Sequence, residues 1–196
     1  MKPLLTKFAT AVMLATGMFA LSHCGNGPVT RINAANVNPR QLAADSRAAL
    51  NDLYFRNPAA RTLGTSAKGI LVFPSITKGG FIVGGLGGNG ALIRNDGTIR
   101  DFYQTAGLSY GIQVGIQRYG YALFLMDDSA FKNLNRADGW EVGGSPSLVI
   151  VDEGIASSLT NATLNKSTYA FFFNPRGLMG GLGLQGSKIT RIDPPR

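Results

Sequence analysis

Residues 68–90 read KGILVFPSITKGGFIVGGLGGNG, and this stretch decides how the chain must fold. The apolar run at residues 70–73 predicts a buried strand. Proline has no N–H to donate to a sheet ladder, so Pro74 is expected to end this strand and residues 75–78 to form a connection. A second apolar segment, residues 81–83, then runs into closely spaced glycines. Because glycine loses more backbone entropy on folding than other residues, this density requires a steric reason, such as a bend or the close approach of another backbone.

The glycine pattern occurs twice in the chain. The sequence GGLGxxGxxI begins at Gly84 and again at Gly180, and a basic residue followed by glycine precedes both copies. Apolar runs that end at Phe73 and Phe173 come before the two copies. The repetition predicts two related hairpin units that lie side by side in one sheet or barrel.

Two helices are predicted before the glycine-rich stretch. Asn38-Pro39 and Asn57-Pro58 each place a capping side chain before a proline at the first helical position. The first helix has an apolar face with several alanines and a polar face of mixed charge, so we expect it to pack on the sheet rather than to lie on a membrane surface.

Further strands are predicted after the glycines. Asn95-Asp96-Gly97 is a hairpin turn signal, and apolar and polar residues alternate with period two over residues 108–117. The chain as a whole therefore predicts an α+β fold. N-terminal helices are expected to pack on a Gly-rich, mostly antiparallel β-sheet that curls into a barrel or sandwich.

The first 23 residues have the pattern of a signal peptide. Lys2 and Lys7 precede an uncharged apolar run over residues 8–21, which is too short to span a bilayer. The run ends in Leu21-Ser22-His23-Cys24, which is similar to the lipobox of bacterial lipoproteins, where the cysteine is lipidated, for example with palmitate. Cys24 is the predicted lipidation site. His23 departs from the small residue usual before that cysteine, and a plain cleaved signal is the alternative.

Three regions follow from this interpretation: a lipoprotein-type signal peptide at residues 1–23, a flexible tether at residues 24–38, and a folded domain at residues 39–196. Cleavage removes the only histidine and lowers the formal net charge from +8 to +6. One cysteine excludes a disulfide within the chain. The positive charge favours an anionic partner, which is either a membrane surface or a nucleic acid.

Sequence patterns for catalysis and nucleotide binding are weak. GxGxxG fits residues 85–90, but a strand and a turn are predicted to follow instead of the helix that would bind a pyrophosphate. Without histidine, the processed chain excludes Ser–His and Cys–His nucleophiles and His-ligated zinc. The adjacent acids Asp127-Asp128 and Asp152-Glu153 are explained by a helix cap and a turn. We therefore predict no enzyme activity, catalytic residue, metal, cofactor or nucleotide, and we find no signature of a nucleic-acid-binding module.

Three segments resemble one known family. Residues 68–97, residues 104–117 (QTAGLSYGIQVGIQ) and residues 138–147 (DGWEVGGSPS) are similar to the SYLF domain, also called the Ysc84 domain. The resemblance runs from about Leu42 to the C-terminus. It implies a lipid-binding domain, and eukaryotic members are known for binding phosphatidylinositol lipids and actin filaments.

The resemblance also implies a cellular location. Bacterial members of the family resemble secreted lipoproteins. Gly25 follows the cysteine in place of the aspartate that retains lipoproteins at the inner membrane, so the pattern implies a lipid-anchored protein on the periplasmic side of the outer membrane. A soluble secreted or periplasmic protein is the alternative.

Basic and apolar residues around the glycine-rich units form the predicted lipid-binding site. The predicted site residues are Lys68, Lys78, Phe81, Arg94, Arg176 and Leu178. Cations would meet lipid headgroups while neighbouring apolar side chains enter the acyl boundary. The alternative is that the apolar residues begin buried strands and the cations are only solvated.

We accordingly predict non-catalytic binding of an anionic phospholipid or a phosphoinositide-like lipid by a bacterial envelope lipoprotein. The alternative function is that of a structural or adaptor protein of the cell envelope, which would act through contacts with an envelope protein partner.

Overall fold

The computed structural model describes residues 36–80, 83–110, 115–136, 139–141, 148–151, 166–177 and 187–195. Helices α1 (Pro39–Arg56) and α2 (Pro58–Ser66) come first, and a short helix α3 (Asp128–Leu134) lies between two strands. The strands are β1 (Gly69–Gly80), β2 (Val83–Arg94), β3 (Ile99–Tyr110), β4 (Gly115–Leu125), β5 (Trp140–Glu141), β6 (Leu148–Val151), β7 (Thr168–Gly177) and β8 (Ser187–Ile192).

The predicted helix starts are confirmed. The Asn38 side chain accepts hydrogen bonds from the backbone N–H groups of Arg40 and Gln41, at 3.0 and 3.2 Å. Asn57 does the same for Ala60 at 3.0 Å, and a proline follows each cap. These side-chain oxygens satisfy backbone donors that have no partner inside the helix.

The buried face of α1 packs on the sheet, as predicted. Its buried residues are Leu42, Ala43, Ser46, Leu50 and Leu53. The Ser46 hydroxyl donates to the carbonyl oxygen of Val72 in β1 at 3.4 Å, and the Arg47 guanidinium donates to the carbonyl of Gly97 in the β2–β3 turn at 3.2 Å. The helix is thereby fixed over the half of the sheet that lies near this turn.

The strands form one mixed, mostly antiparallel sheet in the order β5-β8-β3-β2-β1-β4-β7-β6, which curls into a half-barrel. β6 is parallel to β7, and the other described pairs are antiparallel. The predicted α+β class is confirmed. The β1–β2 hairpin lies at the centre, β3 and β4 flank it, and β8 and β7 flank those two strands.

The prediction of two adjacent hairpins is wrong. The first glycine-rich copy lies in β2, within a true hairpin with β1. The second copy, residues 180–186, lies outside the described residues, but β7 before it and β8 after it are separated in the sheet by four strands. The strands that flank the second copy therefore do not pair with each other as a hairpin, because strand pairing depends on the whole sheet.

The prediction that Pro74 ends its strand is also wrong. β1 continues through Pro74 and residues 75–78 to Gly80, but it contains one extra residue relative to both neighbours, between Val72 and Thr77. This β-bulge tolerates a residue that cannot donate a ladder hydrogen bond.

The single strand predicted over residues 108–117 is instead divided between two strands. β3 ends at Tyr110, β4 begins at Gly115, and β2 and β1 lie between them in the sheet.

The sheet has two faces with separate cores. The helix face packs under α1 and α2 through side chains that include Val72, Phe124 and Phe171. The inner face carries the second cluster, in which Trp140 of β5 and Leu148 of β6 both take part. Because the two edge strands contribute to one cluster, this is the face toward which the sheet curls.

The bulge gives a steric reason for two of the glycines in β2. A Cβ atom added to Gly90 would lie 2.5 Å from the Val72 carbonyl oxygen and 2.7 Å from the Phe73 ring. A Cβ atom on Gly88 would lie 2.6 Å from the Ser75 carbonyl oxygen. The predicted close approach of another backbone is confirmed here, and that backbone belongs to the bulged part of β1.

We expect Gly90→Ala to destabilise the protein by about 1–3 kcal/mol, since the new methyl group overpacks against a backbone carbonyl that cannot move freely. Gly85→Ala is the matched control, because its Cβ atom would meet nothing closer than the Gly107 carbonyl oxygen at 3.9 Å. Its effect should stay within about 0.5 kcal/mol. Urea unfolding of both variants measures the difference, and equal destabilisation would contradict the role of the bulge.

Candidate functional site

Part of the helix face lies beyond the β1 bulge, where no described helix covers it. One row across β3, β2, β1 and β4 consists of Leu108, Gly85, Gly79 and Ile116, which are successive partners in the sheet register. Leu108 and Ile116 are 63% and 65% exposed. The row therefore presents two exposed apolar side chains separated by two glycines. We call this surface the open face, and it includes the next row on the same side of the sheet.

That next row contains two adjacent arginines. Arg118 of β4 pairs with Arg176 of β7, and on its other side with Thr77 of β1. All three are exposed. Among the described residues, no carboxylate forms an ion pair with either guanidinium. Like charges directly opposite each other on neighbouring strands destabilise a sheet, so this arrangement favours an anion that lies against both.

A cleft of about 770 Å³ adjoins the open face between α1 and β7. Its apolar lining includes Leu53, Phe171 and Phe173, and Arg56 and Arg176 lie among its polar lining. Arg176 therefore belongs both to the arginine pair and to the cleft. The two features form one continuous surface with an apolar floor and cationic side chains.

A polar contact fixes the end of β7 to α1 beside this cleft. Asn174 has a left-handed backbone (φ 51°), a conformation that asparagine adopts more readily than most residues. Its side-chain amide donates to Asp52 Oδ2 at 2.6 Å, while Arg56 Nε donates to Asp52 Oδ1 at 2.8 Å. The Asn174 hydrogen bond, followed by that of Arg56, lowers the pKa of the Asp52 carboxyl. Arg56 thus forms an ion pair with Asp52, whereas Arg176 forms none with a carboxylate of the described residues.

The described residues of the predicted site lie in three different places. Lys68 and Arg94 lie at the other end of the sheet, where Gly69 pairs with Arg94 and Lys68 forms an ion pair with Asp128 at 2.8 Å. Lys68 is ten residues from Lys78 along β1, which corresponds to about 33 Å of strand.

Lys78 and Arg176 lie closer together but on opposite faces. Lys78 projects to the inner face and is 5% exposed, whereas Arg176 lies on the open face. The alternative in which Lys78 is only solvated is therefore wrong, because the extra residue in the bulge moves Lys78 to the inner face. Phe81, Leu178 and the lipidation site Cys24 lie outside the described residues.

Sequence reasoning missed Arg118 and the exposure of Leu108 and Ile116. Arg118 follows Ile116 with period two, so a charge on the apolar face of a predicted strand was the available signal. The exposure of the two apolar residues depends on where α1 and α2 end over the sheet, and no local pattern encodes that.

Neither a metal site nor a bilayer-spanning helix occurs in the described part of the chain. No three histidine, cysteine, aspartate or glutamate residues are grouped there as ligands for a metal ion. None of the helices in that part combines the length and the hydropathy needed to cross a membrane.

Comparison with known proteins identifies a family for the second half of the chain. The family model described as Ysc84, Las17-binding protein actin regulator, matches residues 106–193. A search of curated proteins found no match. The matched part contains the two exposed apolar side chains and the two arginines of the open face: Leu108, Ile116, Arg118 and Arg176.

Asp52→Asn should lower the stability at neutral pH, since it removes the charge that Asn174 and Arg56 bind. The pKa of Asp52 is lower in the folded state than its ordinary value of 3.8. The stability that the ionised carboxyl contributes is therefore present above pH 3.8 and is lost as the pH falls through the folded-state pKa. The melting temperatures of the variant and the unchanged protein should therefore differ most near pH 7 and become nearly equal below about pH 4.

Asp45→Asn is the control, since Asp45 accepts a hydrogen bond from Gln41 within α1 and joins no other element. If the melting temperatures of the unchanged protein and Asp52→Asn differ by the same amount from pH 7 to pH 3, this account is contradicted.

Proposed function

We propose a function for this chain on one premise: over residues 106–193 it belongs to the Ysc84 family, also called SYLF, as the sequence resemblance predicted. Membership supports a domain of the lipid-binding or actin-adaptor kind. The chain binds the surface of an anionic phospholipid membrane through its open face, and it does so without catalysing a reaction.

The observation that carries this function is the order of side chains on the open face. Of these two rows, the one with Leu108 and Ile116 lies nearer the strand ends, and Arg118 and Arg176 lie in the row behind, about 7 Å farther along the strands. A sheet that approached a membrane with this end would place the apolar side chains in the acyl boundary and the arginines at the phosphates.

The glycines between the apolar side chains support the same orientation. Gly79 and Gly85 have room for a Cβ atom, because the nearest atoms to it would lie 3.6 and 3.9 Å away. Packing inside the protein therefore does not require glycine at these positions. Their lack of side chains leaves a flat surface on which a lipid can lie against the backbone.

An envelope location belongs to the same proposal. A lipid on Cys24 and a tether over residues 24–38 would hold the domain near a bacterial membrane, on the periplasmic side of the outer membrane. The anionic headgroup need not be a phosphoinositide, because bacterial envelopes seldom offer one. Attachment through Cys24 and binding through the open face are separate interactions, so the domain can be tested without its lipid.

A second candidate function is that of an adaptor that binds another protein. The family description names Las17 binding and actin regulation. Within the described residues, the edge strand β6 pairs with β7 on one side, and its Ile150 is 43% exposed. An envelope protein could add a strand to this edge.

Flotation with vesicles tests the lipid-binding function with the chain from Gly25 onward, which contains every described residue. Each cation near an anionic surface contributes about 1 kcal/mol, so Arg118→Glu or Arg176→Glu should weaken binding to phosphatidylglycerol-containing vesicles by about 2 kcal/mol, or about 30-fold. Arg94→Glu is the control, since this exposed arginine lies at the opposite end of the sheet. Binding should also weaken as salt screens the charges.

Equal binding to neutral phosphatidylcholine vesicles would contradict the electrostatic contribution of the arginines. An Arg94→Glu variant that binds vesicles as weakly as Arg118→Glu would contradict it as well. If the unchanged protein binds no vesicles but captures a defined envelope protein, and mutation of Ile150 abolishes that capture, the adaptor function replaces the lipid-binding one.

The apolar contribution is tested separately. Leu108→Ser and Ile116→Ser should each weaken vesicle binding by about 1–2 kcal/mol, which is less than full burial of such a side chain would contribute. The slope of affinity against salt concentration should stay unchanged, because both arginines remain. Wild-type affinity in both serine variants would show that the exposed apolar row does not enter the membrane.

A further inference from the structure

The cleft between α1 and β7 lies where the described strands leave one edge of β7 uncovered. β6 is the described neighbour of β7 on this side, and it ends at Val151, which pairs with Phe171. β7 continues to Gly177, and beyond Phe171 no described strand lies on its outer side. The cleft, with a volume of about 770 Å³, is lined by this part of β7, by the end of α1 and by the last residues of β6.

The cleft has an apolar floor and a cationic rim. Leu53, Val151 and Phe173 line it and are buried, so they form its floor. Arg176 and Ile150 also line it and are exposed, so they lie where the cleft opens to solvent. Pockets for small ligands enclose about 300–1,000 Å³ and combine a mostly apolar lining with a few polar groups. The cleft therefore fits a ligand that has an apolar body and one polar end.

A second β-bulge brings the cation to the apolar floor. Phe173 of β7 pairs with Gly120 of β4, and the next described pair is Arg176 with Arg118. β7 thus advances three residues while β4 advances two. Residues three apart in a regular strand point to opposite faces, but the extra residue beside the left-handed backbone of Asn174 returns Arg176 to the face of Phe173.

The charges at the cleft amount to one uncompensated cation. Arg56 and Arg176 belong to its described lining, which contains no acidic residue. Asp52 lies beside the cleft and forms an ion pair with Arg56 at 2.8 Å. Arg176 forms no ion pair with a carboxylate of the described residues. A ligand that carries one negative charge at its polar end would balance Arg176.

The charge and the lining together select a ligand class. A carboxylate carries a single charge, and its two oxygens match the planar fork of a guanidinium. A phosphate monoester would bring about −1.5 to −2 charges to one free cation. The buried side chains of the floor require a hydrocarbon body with no polar groups along it. An unbranched fatty acid meets both requirements.

We infer that the cleft binds a fatty acid, with its carboxylate at Arg176 and its hydrocarbon chain along Leu53, Phe171 and Phe173. This inference does not rest on the vesicle binding proposed for the open face, because a fatty acid can enter the cleft from solution. Arg118, the second arginine of the open face, does not line the cleft and therefore separates the two sites.

Titration calorimetry with dodecanoate below its micellar concentration tests the site in the chain from Gly25 onward, without vesicles. Binding should saturate at about one molecule per chain, with a negative heat-capacity change because apolar surface is buried. Dodecyltrimethylammonium has the same chain and the opposite charge, and it should bind at least about tenfold more weakly. Acetate, a carboxylate without the chain, should show no saturable binding.

Arg176→Gln should lower the affinity for dodecanoate about tenfold or more, because the carboxylate loses its guanidinium partner. Arg118→Gln is the matched control, since this arginine is the neighbour of Arg176 in the sheet but lies outside the cleft lining. Its affinity should change by less than about threefold. Each substitution removes one of two like charges on paired strands, so neither variant should be less stable than the unchanged protein.

The apolar part of the cleft is tested at its exposed wall. Ile150→Ser should weaken dodecanoate binding about fivefold, because the hydrocarbon chain loses an apolar neighbour. Phe55→Ser is the control, since Phe55 is also an exposed apolar side chain but does not line the cleft. This control should bind dodecanoate like the unchanged protein.

The inference is overturned if dodecanoate shows no saturable binding, if dodecyltrimethylammonium binds as tightly, or if Arg176→Gln binds dodecanoate like the unchanged protein. Tighter binding of lysophosphatidylglycerol with the same chain length would overturn it as well, since the occupant would then be a phospholipid.

Vesicle flotation of the same variants separates this inference from the proposed function. Ile150→Ser should float with anionic vesicles like the unchanged protein, whereas Arg118→Gln should float less and still bind dodecanoate. A protein that binds dodecanoate but no vesicles would retain the cleft site and lose the proposed function of the open face. A protein that floats with vesicles but does not bind dodecanoate would do the opposite.

Discussion

The structure depends on the contact between the bulge of β1 and the glycines of β2. The extra residue lies around Pro74, and the carbonyl oxygens of Val72 and Ser75 on this part of β1 leave no room for a side chain at Gly90 and Gly88 of β2. The same extra residue reverses the alternation of side chains along β1. Phe73 before the bulge and Lys78 after it consequently project to the same inner face, although their separation in sequence would place them on opposite faces of a regular strand.

This reversal divides the sheet into two regions with different chemistry. On one side of the bulge, helices cover one face and close-packed apolar side chains fill the other. On the other side, the helix face is open and carries apolar residues and paired arginines, while the inner face carries buried amide, ammonium and hydroxyl groups. The open face lies in this second region, close to the strand ends.

Local sequence patterns predicted the elements that depend on short-range interactions. The caps at Asn38 and Asn57, the Asp127 cap of α3 and the turn at residues 95–97 are all present, because a side chain and a backbone group a few residues apart are enough to form them. The β-rich α+β class was predicted for the same reason. The pairing of β7 and β8 was predicted wrongly, because partners from distant parts of the chain compete for each strand edge.

The sequence by itself determined which residues are basic, which are apolar and where glycine replaces a side chain. Only the tertiary structure decided that Arg118 and Arg176 stand side by side, that Lys68 and Arg94 lie at the far end, and that Lys78 is buried. The physical reason is that strand register is set by the packing of the whole sheet. A shift of one residue, such as the bulge at Pro74, moves every later side chain of that strand to the other face.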